Sequence, residues 1–193
     1  MTGLILLAAG ASARLGSPKQ LLPYAGKTLL QHAIAAATGS DAMPVIVVLG
    51  ASANLIRPGI SRDPVHIVTH AAWKAGIGSS IKAGLAAFIE KAPQAEGVIL
   101  MLCDQPFADS ALLNSLIRKK QESGKKIIVS AYENTLGVPV LFDKAFFPVL
   151  TELEDEAGAK KLLQRYPEAV ASVPFPGGGI DIDTRSAYDA LIG

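Results

Sequence analysis

Between residues 10 and 19 the chain places Gly10 and Gly16 on either side of Arg14 and then runs Ser17, Pro18, Lys19. An apolar run, Leu4 to Ala8, leads directly into this stretch. Glycine at the end of a strand lets backbone N–H groups approach a ligand closely, and fixed cations beside it select an anion. Phosphate is the implied ligand, and spacing then removes two common phosphate loops. A dinucleotide fingerprint fails because Gly10 is followed by Ala11, Ser12 and Ala13. A P-loop fails because the glycine required ahead of Gly26-Lys27-Thr28 is Leu21. The stretch Gly76 to Ser80 begins like a glycine fingerprint but has Ile81 at the third glycine position. A second group of candidates is acidic: Asp104 directly follows an apolar run, and Asp181 and Asp183 alternate in Ile180-Asp181-Ile182-Asp183-Thr184.

These residues need a scaffold, and the remaining pattern supplies one. Short runs that are apolar on both faces cover residues 4–8, 45–49, 65–69, 98–102 and 127–131, as expected of parallel strands covered by helices on both sides. Segments 28–38, 79–90 and 109–123 carry apolar residues three and four apart and read as helices. Thr28 with Gln31 forms a capping-box pattern, and Asp109-Ser110 suits a helix start. Further on, the sequence predicts a strand at 138–142, helices at 144–153 and 158–165, a strand at 170–173, a Pro-Phe-Pro-Gly turn and a closing helix. The two aspartates at 181 and 183 read as one face of an edge strand, with Thr184 capping that helix. Alternating strand and helix predict an α/β, three-layer α/β/α sandwich with a mostly parallel, Rossmann-like sheet, formed by residues 1–193 as one domain. In such sheets ligands bind outside the carboxyl ends of the strands, where both the glycine loop and Asp104 fall.

Composition excludes several classes. With 18 basic and 17 acidic residues the net charge is +1, which gives no overall field for nucleic acid or an anionic membrane. The single cysteine, Cys103, excludes an intramolecular disulfide and a cysteine-rich zinc site, and reads as a small packed residue. No apolar run approaches the roughly 20 residues of a membrane helix. A cytoplasmic location is the expectation. His32, His66 and His70 fall in no recognisable catalytic pattern, and Trp73 reads as a packing residue.

The segment LAAGASARLGSPKQLL resembles the signature of MobA-like nucleotidyltransferases, which join a nucleoside monophosphate to a phosphorylated acceptor and release pyrophosphate. GKTLLQHA, GIGSSIKAGL, LCDQPF and DIDT, in that order, bring the resemblance closest to the molybdenum cofactor cytidylyltransferases and extend it from residue 4 to 184. The resemblance implies the nucleotide-diphospho-sugar transferase type of sheet. It implies nucleotide contacts from Leu7, Ala8, Ala9, Gly10, Ala11, Ser12, Arg14, Lys19, Gly78, Ser79, Ser80, Gly84 and Asp104. It also implies an acceptor side that includes Gln105, Pro106, Gly137, Pro139 and Lys160. Arg14, Lys19 and Asp104 carry the catalysis, since transfer at a phosphorus depends on positioning and cationic stabilisation more than on proton transfer. Asp104 suits magnesium, which takes few carboxylates and completes its shell with phosphate and water; Asp183, or else Asp181, supplies the second carboxylate. The phosphate nucleophile is already ionised, so no general base is required.

The nucleotide expected is CTP: related guanylyltransferases open with two glycines, whereas here Ala9 precedes Gly10 and its methyl crowds a purine. The acceptor expected is molybdopterin carrying molybdenum, with a transient contact to a molybdenum enzyme or its chaperone. GTP with the same pterin, a phosphosugar or phospho-alcohol acceptor, and a non-catalytic nucleotide or cofactor carrier are the alternatives. Two departures from the family pattern bear on the acceptor side. Arg185 stands where proline commonly follows DIDT, and the segment usually written Gly-Asp-x-Gly-Ala-Arg runs from Asp155 to Lys160. Lysine offers phosphate a point charge in place of the arginine fork.

Overall fold

The computed structural model describes residues 1–193. Its elements are β1 (Thr2–Ala8), the short β2 (Pro23–Tyr24) and β3 (Lys27–Thr28), α1 (Leu29–Thr38), β4 (Val45–Leu49), α2 (Ala53–Ile60), β5 (His66–Thr69), α3 (Ile77–Lys91), β6 (Gly97–Leu102), α4 (Ser110–Ser123), β7 (Ile127–Tyr132), β8 (Thr135–Asp143), α5 (Phe147–Thr151), α6 (Lys160–Arg165), β9 (Val170–Pro174) and α7 (Arg185–Ile192). Seven strands form one sheet in the order β5-β4-β1-β6-β8-β7-β9. β5, β4, β1 and β6 are parallel; β8 runs antiparallel to both of its neighbours, and β7 pairs parallel with β9.

β1 shows why the sheet needs two helical layers. Leu4 and Leu6 face a core shared with Leu30 and Ile34 of α1, Ile56 of α2 and Leu113 of α4. Ile5 and Leu7 face a second core with Ile81, Leu85 and Phe88 of α3 and Leu150 of α5. Both faces of the strand are therefore dry, and a run apolar at every position is what that environment selects. Each such side chain contributes about 1.5–3 kcal/mol when removed from water. Local signals fix the helix starts. Thr28 and Gln31 form the reciprocal capping box of α1, Asp109 accepts from Leu112 N at the start of α4, and Thr184 accepts from Ala187 N at the start of α7.

Beyond the unpredicted β2–β3 ribbon and small shifts of element ends, the structure departs further from the sequence reading. α2 was not expected, because Pro58 and Gly59 lie inside it; Ile56 and Ile60 bury its inner face all the same. β8 starts at Thr135, ahead of the predicted 138, because a two-residue turn joins it tightly to β7. The helix expected over 144–153 divides into a 3-10 turn, Lys144–Phe146, and α5. Residues 180–183 form no edge strand. They are an irregular strap, turned at Ile182 by Asp183 N donating to Asp181 O at 3.1 Å and tied just beyond the end of β6 by Ile182 N donating to Asp104 O at 3.0 Å.

Candidate active site

The chain passes from β1 outward to β4 and β5, then returns to the other side of β1 as β6. The crevice of such a sheet opens outside the carboxyl ends of the central strands. Here β1 runs into the glycine loop and β6 runs into Cys103 and Asp104. The two strand ends, together with the start of α3, enclose a cavity of about 340 Å³ lined by Gly10, Lys19, Gln20, Trp73, Ser80 and Asp104 among others.

Lys19 organises the mouth of this cavity. Its ammonium donates to Asp104 Oδ2 at 2.6 Å and to Asp183 Oδ1 at 2.5 Å, and Arg14 Nη2 donates to Asp183 Oδ2 at 2.9 Å. Segments 14–19, 104 and 183 thus meet in one charged cluster. Burial works against the Lys19 charge, but the Asp104 carboxylate and the hydrogen bonds to both aspartates more than offset it and hold its pKa well above the usual lysine range. Asp183 is held below the usual carboxylate range, first by the hydrogen bond from Lys19. Asp181 takes the opposite course: burial, then the neighbouring charges of Asp104 and Asp183, push it up to about 6. The strap turns at the buried Ile182, with one aspartate on each side of it in the chain. The two then diverge, with Asp183 on Lys19 and Arg14 and Asp181 lining a different cavity. Burial, then Asp104, pushes the Cys103 thiol up to about 12, which leaves it an inert packed side chain.

Asp104 is buried, and its Oδ1 has no hydrogen-bond partner. A buried carboxylate oxygen without a donor is costly unless it meets a cation, so Asp104 fits the role of a metal ligand. No three His, Cys, Asp or Glu side chains converge so as to hold a metal unaided. A cation here would depend on oxygen atoms of a bound phosphate, the habit of magnesium.

The glycine loop is shaped by a residue that the sequence reading passed over. Gln20 is buried, and its side-chain amide donates to Ala8 O at 2.8 Å and to Gly10 O at 3.0 Å. In a trans peptide the N–H points opposite to the C=O. By holding these two carbonyls, Gln20 turns the N–H groups of Ala9 and Ala11 away from itself. Its only sequence signal is a polar residue between Lys19 and the apolar Leu21-Leu22. Ser12, in the left-handed region at φ 54°, accepts from Lys19 N at 2.9 Å and closes the loop on itself. An added Cβ at Gly10 would meet nothing within 4 Å, so the space above this glycine is open to a ligand. Trp73, read from the sequence as packing, stands on the cavity wall.

The other residues singled out by sequence separate into groups. Leu7, Ala8, Ala9 and Ser80 line the cavity, whereas Ala11, Ser12 and Arg14 lie outside its lining. Gly78 is placed structurally: its N–H and that of Ser79 both donate to Asp155 O, at 2.7 and 3.3 Å, and a side chain at 78 would strike Glu154 O. The Ser79 hydroxyl donates to Gly76 O at 2.7 Å and meets His70 Nε2 at 3.0 Å. Gly84 is a correction. An added Cβ there would lie 2.6 Å from Ile5 Cγ2 and 2.8 Å from Val48 Cγ2, so Gly84 lets α3 settle on β1 and β4 and faces the sheet. Of the residues expected on an acceptor side, Gly137 and Lys160 line a second cavity, of about 440 Å³, that shares Ile77 with the first. Gln105, Pro106 and Pro139 stand outside both linings; Gln105 is buried and donates to Gly178 O at 3.1 Å, bracing the strap.

A family model for the MobA-like NTP transferase domain matches residues 4–170, from the start of β1 to the start of β9. The chain belongs to that family. Nicotine blue oxidoreductase of Paenarthrobacter nicotinovorans is 32% identical over 93% of this chain and 91% of its own length. Purine catabolism protein PucB of Bacillus subtilis is 30% identical over 97% and 94%. Among solved structures, Rv0371c of Mycobacterium tuberculosis superimposes at a TM-score of 0.88 with 31% identity, covering 99% of this chain and 96% of that one. Rv0371c has also been solved in complex with manganese, at a TM-score of 0.81 to this chain. Three solved nucleotidyltransferases that are 14 to 17% identical share the architecture at TM-scores of 0.74 to 0.79, a likeness of fold alone. The sheet is that of the nucleotide-diphospho-sugar transferases, and the MobA-like chain is a nucleotidyltransferase by family. None of its helices is long and apolar enough to cross a membrane.

Proposed function

We propose that the protein transfers a cytidylyl group from CTP to the terminal phosphate of molybdenum-bearing molybdopterin. The acceptor phosphate oxygen bonds to the α-phosphorus of CTP, the bond between that phosphorus and the oxygen bridging to the β-phosphate breaks, and pyrophosphate leaves with the electron pair. The observation that carries this reading is the buried Asp104, joined through Lys19 to Asp183 at the mouth of a cavity floored by the glycine loop.

Within this reading the backbone N–H groups presented by the loop and the Lys19 ammonium receive the β- and γ-phosphates, whose charge grows as they leave. Arg14, on the exposed rim, adds a second cation. Asp104 and Asp183 are the residues that would hold magnesium, which supplies charge neutralisation at the phosphates when bound. Ala9 and Trp73 both line the cavity, and the Ala9 methyl, where related guanylyltransferases carry a second glycine, supports a pyrimidine over a purine. The acceptor occupies the second cavity and approaches past Ile77, the one residue lining both.

Pyrophosphate release, measured with magnesium and with CTP or GTP, in the presence and absence of molybdenum-loaded molybdopterin, tests the proposal. Pterin-dependent release with CTP is expected. Faster release with GTP overturns the choice of base, and nucleotide binding without any release points to a carrier.

A further inference from the structure

One histidine with no place in the proposed chemistry ties together a wall of the first cavity. His70 directly follows β5, and its backbone N–H donates to Leu49 O at 2.8 Å, at the end of the neighbouring β4. Its ring Nε2 lies 3.0 Å from the Ser79 hydroxyl, in the first turn of α3. That hydroxyl has one proton and gives it to Gly76 O at 2.7 Å, with Ala72 O farther off at 3.4 Å. His70 Nε2 is therefore the donor to the Ser79 oxygen. Ser79 is buried and His70 half-buried, which shields the bond in part from water and strengthens it.

This bond closes a loop. The chain leaves the sheet at His70 and turns into α3 at Gly76, whose φ of 132° is open to glycine. Between these ends Ala71, Ala72, Lys74 and Ala75 are exposed, and Trp73 alone is partly buried. Internal support is a single 3-10 turn, in which Ala75 N donates to Ala72 O and Gly76 N to Trp73 O. A loop with so few buried side chains keeps its shape through the way its ends are tied. Trp73 and Lys74 line the first cavity, while His70 and Ser79 stand behind the lining. Trp73 packs beside the start of the glycine loop: an added Cβ at Gly50 would lie 2.8 Å from the Cβ atoms of both Ala9 and Trp73. A shift of the 70–76 loop moves Trp73 and, with it, one wall of the cavity.

We propose that His70 is a positioning residue for the nucleotide: through Ser79 it fixes the 70–76 loop, and the fixed loop holds Trp73 in the wall of the cavity that receives CTP. This deepens the proposed function and rests on its assignment of the first cavity to the nucleotide. His70 touches no substrate. It acts by reducing the number of shapes the wall adopts before the ligand arrives, which lowers the ordering cost of binding.

Trp73 is the only tryptophan of the chain, so its fluorescence reports this wall without a label. Acrylamide quenching and CTP titration of the full chain, each without acceptor, test the inference. His70→Phe keeps a ring and removes the donor. It should raise the quenching constant of Trp73 and weaken CTP binding about fivefold, the scale of one neutral hydrogen bond. Ser79→Ala removes the same bond from its other end and should match these losses, and combining the two changes should lose no more than either alone. His70→Gln, whose amide N–H can take the place of Nε2–H, should recover most of both. Circular dichroism melts identify a variant that fails to fold, in which case the remaining variants decide. Unchanged quenching or unchanged CTP affinity in folded His70→Phe or Ser79→Ala, or equal losses in His70→Gln and His70→Phe, overturns the inference. Quenching is read without nucleotide, so absence of CTP binding by the wild type would overturn the proposed function while quenching still decides the hold of His70 on Trp73.

Discussion

The two cavities meet at Ile77 yet are built in opposite ways. The first draws on two strand ends and the residues just beyond them and holds a paired charge cluster, in which Lys19 and Asp104 are largely shielded from water with side-chain exposures of 14% and 11%, while Lys74 stands exposed on its wall. The second is assembled from a hairpin, a helix start and a strap, and its charged Glu133 and Lys160 are exposed. Paired, shielded charge is already oriented when a substrate arrives, which is what stabilisation of a leaving phosphate requires. Exposed, unpaired charge is suited to discriminating between ligands. On the proposed function, chemistry belongs to the first cavity and the acceptor to the second.

Removing the charge cluster gives the largest expected effect. Lys19→Ala leaves Asp104 without its cation, and Asp104→Asn removes the carboxylate itself; each should lower turnover by about a thousandfold. Circular dichroism should show the fold retained, and a loss below tenfold would break the division between cavities.

Two glycines, one lining the first cavity and one packed between α3 and the sheet, sharpen the contrast between site and scaffold. Gly84→Ala should destabilise the protein by about 1–3 kcal/mol in denaturant melts, because its methyl meets Ile5 and Val48 in a packed core, with the affinity of the remaining folded protein for CTP unchanged. Gly10→Ala has open space for its methyl and should keep its stability while losing CTP affinity.

Gln20→Leu should come next, with about tenfold weaker CTP binding, since the Ala8 and Gly10 carbonyls lose the donor that orients their peptides. Molybdopterin binding to the second cavity should be unaffected.

The smallest effect lies far from both cavities. Burial works against the Asp143 charge, but the hydrogen bond from Lys120 and its other donors outweigh it and hold Asp143 below the usual carboxylate range. A group with a lowered folded-state pKa stabilises the fold above its unfolded pKa, and that contribution is lost as the pH falls through the folded value. Asp143→Asn should therefore lower the melting temperature slightly at neutral pH, and the difference from wild type should vanish at the most acidic end of the titration.

The local signals of this sequence were legible because their physics is local. Dry strands such as β1 read as continuous apolar runs, and the caps at Thr28, Asp109 and Thr184 each use a hydroxyl or carboxylate to satisfy an N–H three residues on. Gly10 and Asp104 could be placed just beyond strand ends for the same reason. Gly84 could not be separated from a ligand-binding glycine, because sequence does not tell whether a missing side chain makes room for a substrate or for a strand. α2 was hidden by Pro58 and Gly59, whose unfavourable propensity is overridden by the burial of Ile56 and Ile60.

By itself, then, the sequence determined the alternation of strand and helix, the phosphate-directed loop and the presence of carboxylates on distant segments. Tertiary structure alone decided that Asp183 pairs with Lys19 while Asp181, two residues away, turns to another cavity, and that Gln20 orients the loop. The physical reason is that charge pairing acts across space: Lys19 and Asp183 lie 164 positions apart in the chain and 2.5 Å apart in the fold.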